Sequence, residues 1–514
     1  MSQTISENNK RIARNTMILY VRMFVMMFIS FFTTRIVLNA LGVDDYGINN
    51  VVGGLVAMFS LLSGSLTSAS SRFITFALGK GDLGEQKKVF TTTINIHLIL
   101  AVVVLLALEL VGVWFLNHKM NIAPDRLYAA NWVLQSSVVV FVLGILSVPY
   151  NSAIIAHERM SAFAWVTLID AFFKLIVAYA IYSYVGDRLI LYALLWIVPS
   201  IFNLVAYYWY CRLNFEECHY SFMWDKATFR EMLGFSVWNF IGCSAAVLKD
   251  QGVNILINLF FSTVVNAARG VAMQINSIVN QFTSNFTMAI NPQITKYYAS
   301  GDLPRMHRLV FYGTRMSYYL FMFIAIPVFF EIDAVLLVWL GQVPEHTVLF
   351  VRLILILTLT EILSRMLITA QAATGRIRNY QLVVGGLLTL NFPLSYIALK
   401  LGAVPEMTVV VGIFVSLVCL VARLCFLRSM VSLRVRDFIS QVLVNVVVVT
   451  LLSAVVPAMC YYFIGHHIIR FFAVCVSSVV MSGVVIYFVG CNSWERNMLR
   501  GYMVKLRNKV LNVV

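Results

Sequence analysis

The sequence predicts an all-α polytopic membrane protein of about fourteen transmembrane helices. Three observations carry that expectation. Hydrophobic residues make up 60% of the 514 residues and charged residues only 12%, whereas a soluble domain carries about 25% charged. Apolar stretches of about 20 residues, enough to cross a 30 Å hydrocarbon core, recur almost from end to end. The connections between them are short, which leaves no extramembrane domain to hold separate chemistry.

Taken in order, the first span is 17–41. It follows a polar segment, Met1 to Asn15, and exceeds the 7–15 apolar residues or so of a secretory leader, so it reads as a retained helix. It carries Arg22 and Arg35. The second, 46–71, is lined with Gly53, Gly54, Ser60, Ser63, Gly64, Ser65 and Ser68. Small groups of this kind serve either as a packing seam or as a hydrated translocation surface. The third, 89–116, holds His97, which reads as a hydrogen-bonded structural histidine, and Glu109, a carboxylate with no obvious local partner. Spans 130–155, 161–184 and 189–213 complete the first half. Within 161–184, Asp170 stands four residues before Lys174, the favourable order for a helical ion pair.

Segment 214–230, the longest connection, separates the halves. Span 231–260 places Lys249 near its middle, too deep to snorkel easily. Asp250, Asn254 and Asn258 recur every four residues there, a polar stripe to which Asn239 adds. Span 264–290 repeats the device with Gln274, Ser277, Gln281 and Asn285, and carries Arg269 nearer one end. Then come 309–331 and 347–371, the latter with Glu361 four residues before Arg365. Spans 380–400, 406–430, 437–463 and 467–490 finish the series. The eight cysteines are scattered without metal-ligand spacing; Cys243, Cys419, Cys425, Cys460 and Cys475, within apolar runs, read as small buried hydrophobes. No phosphate-binding glycine loop, zinc spacing or nucleophile elbow is present in the sequence.

Orientation follows from the 38 Lys and Arg residues. With the N-terminus inside, the inner loops and tails hold about 26 of them and the outer loops about five, which places both termini in the cytoplasm. The same bias explains most of the net charge of +15 without a nucleic-acid partner. Inner-face bases also suit anionic membrane lipids.

The halves look related. Phe73-Ile74-Thr75 leads to Gly81-Asp82-Leu83, and Gln293-Ile294-Thr295 leads to Gly301-Asp302-Leu303, at an offset of 220 residues. Ala156-His157-Glu158-Arg159 echoes Ala373-Thr374-Gly375-Arg376 after the fourth and tenth spans. Six helices per repeat make the copies parallel, related by a pseudo-two-fold axis along the membrane normal. The expected domains are an N-terminal lobe 1–213, a cytoplasmic linker 214–230, a C-terminal lobe 231–430, and 431–514 with two further helices and a basic cytoplasmic tail.

These motifs stand in a telling order: Asn15-Thr16, Arg35 to Leu38, Leu41 to Gly47, Ser71-Arg72-Phe73 with Gly81-Asp82, Asn291 to Ile294, and Thr374-Gly375-Arg376. In that order the chain resembles the MOP superfamily of exporters, and within it the Wzx-type polysaccharide flippases. The resemblance implies two six-helix lobes around a central cavity, alternating access, and a lipid-linked glycan as cargo. It also implies a bacterial inner membrane, contact with a polysaccharide polymerase or glycosyltransferases, and a sodium or proton gradient or the membrane potential as driving force. The last two helices would offer the lipid tail a groove.

A charge at the bilayer centre costs about 2.5–3.5 kcal/mol on the mildest scale. The bases within the spans therefore need a wet cavity, an acidic neighbour or an anionic ligand. Arg22, Arg35, Lys249 and Arg269, with Lys174 and Arg365 behind them, are the expected contacts for a pyrophosphate, and Asn254, Gln274 and Gln281 for sugar hydroxyls. Arg22 and Arg35 lie about 220° apart on their helix and do not form one clamp. Asp250, Asp170, Glu361 and Glu109 are the ion-coupling candidates. The expected function is thus a flippase, not an enzyme, with no cofactor beyond a coupling Na+ or H+, serving lipopolysaccharide O-antigen or a related surface glycan. A multidrug or organic-cation exporter and a membrane glycan polymerase or ligase are the alternatives; the first needs acidic cavity residues, the second a large outer loop.

Overall fold

The computed structural model describes residues 2–496 apart from 58, 121, 222, 262, 341, 342, 344, 493 and 494. The expected basic tail beyond 496 lies outside the described residues. Among these, helices and their connections account for the whole chain, without a strand. Twelve helices are long and apolar enough to cross a membrane, and a bent pair makes thirteen.

In chain order they are α1 (Arg11–Gly42), α2 (the pair Asp44–Val56 and Ser60–Lys80), α3 (Leu83–His118), α4 (Pro124–Ala156), α5 (Met160–Tyr182) and α6 (Arg188–Asn214). Next come α7 (Lys226–Phe260) and α8 (Thr263–Ala299). The series ends with α9 (Leu303–Trp339), α10 (Thr347–Ala373), α11 (Arg378–Lys400), α12 (Met407–Val431), α13 (Val435–Phe463) and α14 (His467–Gly490). The helix that misses the hydropathy threshold is α8, because its stripe of Gln, Ser and Asn dilutes the apolar face. The expected fourteen are thus all present as helices, while apolarity alone recognises thirteen.

Several helices outrun the expected limits. The second was placed at 46–71 but runs to Lys80 and bends by 52° between its two parts. The eighth and ninth, expected at 264–290 and 309–331, extend to Ala299 and from Leu303 to Trp339. Their ends turn polar while remaining helical, so hydropathy underestimates length. Linker 214–230 includes a short turn, Glu216–Cys218, where His157 meets Glu217.

The paired motifs fold alike. Gly81 and Gly301 both adopt a left-handed conformation, with φ of 79° and 76°, which only glycine reaches cheaply. Gly81 ends α2 by donating to the Ala77 carbonyl, and Asp82 caps α3 by accepting from the Gly84 N–H at 2.9 Å. Gly301 donates to Tyr298 and Asp302 to Tyr297, closing α8 as a Schellman-like turn. The shared Gly-Asp-Leu sequence is thus a helix–turn–helix signal used twice.

Packing groups the residues into two compact units. The first comprises Met1–Ser244, Met288–Leu303 and Ala372–Gln381, and the second Ala245–Thr287, Pro304–Gln371 and Leu382–Val514. In the first, Leu19, Phe73, Phe90, Ile154, Met160 and Phe235 form one buried cluster and Val52, Leu108, Leu116, Val133, Leu134 and Leu189 another. The second unit buries Phe321, Phe350 and Phe438 completely. It also ties α9 to α13 and α14 through Tyr319 with Asn445 and the Gly490 carbonyl, and to the segment beyond α14 through Arg315 with Glu495.

Candidate functional site

The second unit holds a small polar cavity of about 60 Å³ in which α7, α8, α10, α11 and α12 meet. On α7, Ala245, Lys249, Gly252, Val253 and Leu256 are all buried or nearly so, at the i, i+4, i+7 spacing of one helix face. Lys249 therefore lies on the stripe that an apolar residue would ordinarily fill. Its Nζ is 2.5 Å from Glu361 Oε1 on α10 and 3.8 Å from Asp250 Oδ1.

Arg269, on α8, is 6% exposed. It donates to the Asn254 side chain and to the backbone oxygen of Asp250 at 3.5 Å. Thr358 donates to Asn276 at 2.9 Å, and Asn391 presents a buried Oδ1 with no hydrogen-bond partner among the described residues. Two bases and two carboxylates thus share one wall, with amide and hydroxyl groups between them.

Glu361 was expected to pair with Arg365 on its own helix. That expectation is corrected. Glu361 turns to Lys249, and Arg365 donates to Asn280 Oδ1 at 2.6 Å. A lysine that cannot reach water competes harder for a carboxylate than an arginine with an amide to hand. On α8, Gln274, Ser277 and Gln281 are exposed, while Ala272, Ile275, Asn276 and Val279 on the other face are buried. Asn254 gives its carbonyl to Arg269 and its amide to Gln251 at 3.1 Å.

The first unit positions the remaining candidates. Arg22 donates to Thr167 Oγ1 at 2.6 Å and lies 4.5 Å above the Phe163 ring, so it packs between α1 and α5. Arg35 is exposed. The Asp170–Lys174 pair forms as its spacing suggests, at 2.7 Å, with Asn203 donating to the other carboxylate oxygen at 2.9 Å. Glu109 was read as lacking a local partner, but it accepts from Gln135 Nε2 on α4 at 3.0 Å. It sits in a π-helical turn, Leu108–Gly112, whose extra residue shifts the helix face toward α4.

A second constellation escaped the sequence reading. Glu158, between α4 and α5, has a side chain with no exposed surface and a left-handed φ of 60°. It pairs with Arg11 at 2.8 Å and Lys296 at 2.8 Å, and accepts from Gln293 at 2.7 Å, while Asn15 holds its backbone oxygen at 3.0 Å. The echoing loop after α10 receives a base as well. Arg72 donates to the Ala373 carbonyl at 3.1 Å and stacks over Phe73 and Phe76, 4.3 and 4.7 Å from their centroids. Gly375, with φ 74°, makes room for it, since a Cβ there would lie 2.6 Å from the guanidinium. Lys296 counts among the inner-face bases and Arg72 stands in the Ser71-Arg72-Phe73 motif; the signal that both engage these loops was the loop echo itself.

Residues 12–298 match the model of a family described as polysaccharide biosynthesis protein. A Bacillus subtilis relative, "Uncharacterized membrane protein EpsK", is 17% identical over 282 residues, 54% of this chain and 55% of its own. The chain thus spans about half the length of the curated relative it matches. Among solved structures, a MATE in complex with MaD3S superposes with a TM-score of 0.71 at 14% identity, over 83% of this chain and 96% of the other. A MOP superfamily transporter from Pyrococcus furiosus, described as having a binding pocket of reverse polarity, gives 0.70 at 12% over the same shares. Identities this low establish the fold. With the family match over more than half its residues, the chain belongs to the polysaccharide biosynthesis protein family.

Proposed function

We propose that this transporter moves a polyprenyl-pyrophosphate-linked oligosaccharide from the cytoplasmic to the outer leaflet of a bacterial inner membrane, with both termini cytoplasmic. One observation carries the reading. Arg22, Arg269 and Arg365 lie within spans and hydrogen-bond neutral partners, namely Thr167, Asn254 with a backbone carbonyl, and Asn280. Asp250 and Glu361 lie near Arg269 and Arg365, yet among the described residues none of the three guanidinium groups hydrogen-bonds a carboxylate, and an anionic cargo offsets the cost of holding that charge inside a membrane. The exposed amides of Gln274 and Gln281 supply hydrogen bonds of the kind sugar hydroxyls exchange with water.

Lys249 is the switchable member of the set. It is held by Glu361 in this structure, and an arriving phosphate would compete for it. Asp250 and Glu361, ringed by Asn276, Asn391 and Thr408, are the carboxylates that a coupling sodium ion or proton would address. Asp170 and Glu109 are less suited, being engaged by Lys174 with Asn203 and by Gln135.

The MATE-like fold also suits export of organic cations, and the comparison of cargoes decides between the two. Proteoliposomes bearing the purified protein should translocate a lipid-linked oligosaccharide and leave ethidium behind. Ethidium export without glycan translocation would reverse the assignment. Activity as a glycan polymerase or ligase in the same preparation would place the protein outside transport altogether.

A further inference from the structure

The first unit contains a second, larger cavity of about 260 Å³ between α2, α4 and α6. Its lining includes Asn49, Gly53, Ser136, Ser137, Phe141 and Trp196, and no ionisable side chain. Asn49 and Gly53 are one helical turn apart on α2, and on α4 Ser137 and Phe141 share a face, as do Ser136 and Val140, so the two helices bring polar and apolar groups to the same space. Trp196 owes its place to a break in α6. The helix stops at Leu195 and resumes at Ile197, and Pro199 lacks the N–H that the Leu195 carbonyl would otherwise receive.

Two features show that this space is built for a ligand. Ser136 is 3% exposed, and its hydroxyl has no hydrogen-bond partner among the described residues, although a serine in a helix can bond the carbonyl four residues back. A buried hydroxyl left unsatisfied is destabilising, so the position favours an occupant with a hydrogen-bonding group. The Trp196 ring is also held in place. Lys174 Nζ lies 4.9 Å from its centroid, Tyr192 meets it edge-on at 5.8 Å, and Asp170 anchors the lysine. The Asp170–Lys174 pair thereby becomes a positioning device for an aromatic face.

The chemistry narrows the ligand. With no charge on its walls, the cavity disfavours phosphate and organic cations, whose desolvation nothing here would offset. An acyl chain would leave the Ser136 hydroxyl and the Asn49 amide unpaired. A rigid, neutral ring with hydroxyls on its rim and C–H groups on its face satisfies both walls. The volume approaches the lower end of the range for small-molecule pockets, about 300 Å³, which suits one ring rather than a chain of them. We infer that this cavity is a pyranose subsite, with Trp196 as stacking platform and Ser136, Ser137 and Asn49 as hydroxyl partners. The inference rests on the flippase reading for the source of the sugar, one residue of the carried glycan.

The test uses full-length protein in detergent, with saturation-transfer NMR to two probes, methyl β-glucoside and N-acetylglucosamine. Inorganic phosphate and ethidium serve as charged controls. At least one pyranose should show saturable transfer. Trp196→Leu should weaken it at least tenfold, Trp196→Phe should retain it within about threefold, and Ser136→Ala should weaken it three- to tenfold without lowering the unfolding temperature. Gly53→Leu gives an independent block, since a side chain there enters open space; it should abolish transfer. Transfer absent from the wild type, or equal in Trp196→Leu and Gly53→Leu, overturns the subsite. The flippase reading is scored separately on lipid-linked oligosaccharide. Translocation with unchanged pyranose binding in these variants removes the subsite alone, and pyranose binding without translocation removes the flippase reading alone.

Discussion

Removing the Lys249 ammonium separates structural from functional roles in the α7–α10 cavity. At 2.5 Å from Glu361, the attraction in an effective dielectric of about 20 is about 7 kcal/mol. The second carboxylate, Asp250 at 3.8 Å, adds about 4 kcal/mol on the same basis. Desolvating a buried ammonium costs several kcal/mol and takes back most of this. Glu361 keeps 37% of its side-chain surface exposed, which screens the pair further, so a coupling of about 2 kcal/mol is expected. Lys249→Met leaves two carboxylates facing one another and should lose about that much stability. Lys249→Met with Glu361→Gln removes the stranded charge and should recover at least half of the loss. Thermal unfolding in detergent reads the first quantity, and flipping of a lipid-linked oligosaccharide in proteoliposomes reads the second. Transport should fail in the single and in the double variant, because both lack the Lys249 ammonium, the one base of the set that leaves a carboxylate for the phosphate. Restored transport in the double variant would refute the reasoning and make Lys249 a purely structural counter-ion.

Three further expectations concern the first unit. Glu158→Gln strips the carboxylate from Arg11 and Lys296, and should lower stability by about 2–3 kcal/mol, since breaking a buried pair is expensive; unfolding at the wild-type temperature would contradict it. Gly375→Ala requires a left-handed backbone and crowds Arg72, and should cost about 1–3 kcal/mol, read by the same assay. Asp187, in the connection before α6, is driven upward by burial, but the Arg126 hydrogen bond and the N–H groups of Leu189 and Ile190 outweigh this and hold its pKa below the usual carboxylate range. A depressed pKa stabilises the fold above the unfolded value, near 3.9, and that stability is lost as pH falls through the folded value. Asp187→Asn should therefore flatten the unfolding profile below about pH 4; an unchanged acid limb would count against the assignment.

What was readable in advance and what was not divides by range. Spans were legible because a bilayer imposes a length and an apolar period on each helix separately. The Gly81-Asp82-Leu83 and Gly301-Asp302-Leu303 motifs were legible as a repeat because they recur at one offset, while the left-handed glycines that end their helices emerge only in the folded backbone. Asp170–Lys174 formed as its four-residue spacing implies, and its role beside Trp196 depends on another helix. Glu361 carried the same local signature with Arg365 and still went elsewhere, because its partner is 112 residues away and more deeply buried. Glu109 found Gln135 on the next helix for the same reason. Glu158 lay inside a quoted motif, yet only tertiary structure shows side chains of α1 and α8 converging on a carboxylate with no exposed surface.

The central claim is best tested by following a polyprenyl-pyrophosphoryl oligosaccharide across the bilayer of sealed proteoliposomes, with an impermeant glycosidase added outside. The wild-type protein should raise the digestible fraction from about half toward completion, and Arg269→Ala with Arg365→Ala should hold it at half while still inserting. A digestible fraction that stays at half with wild-type protein, under an imposed sodium or proton gradient or membrane potential, would contradict the account.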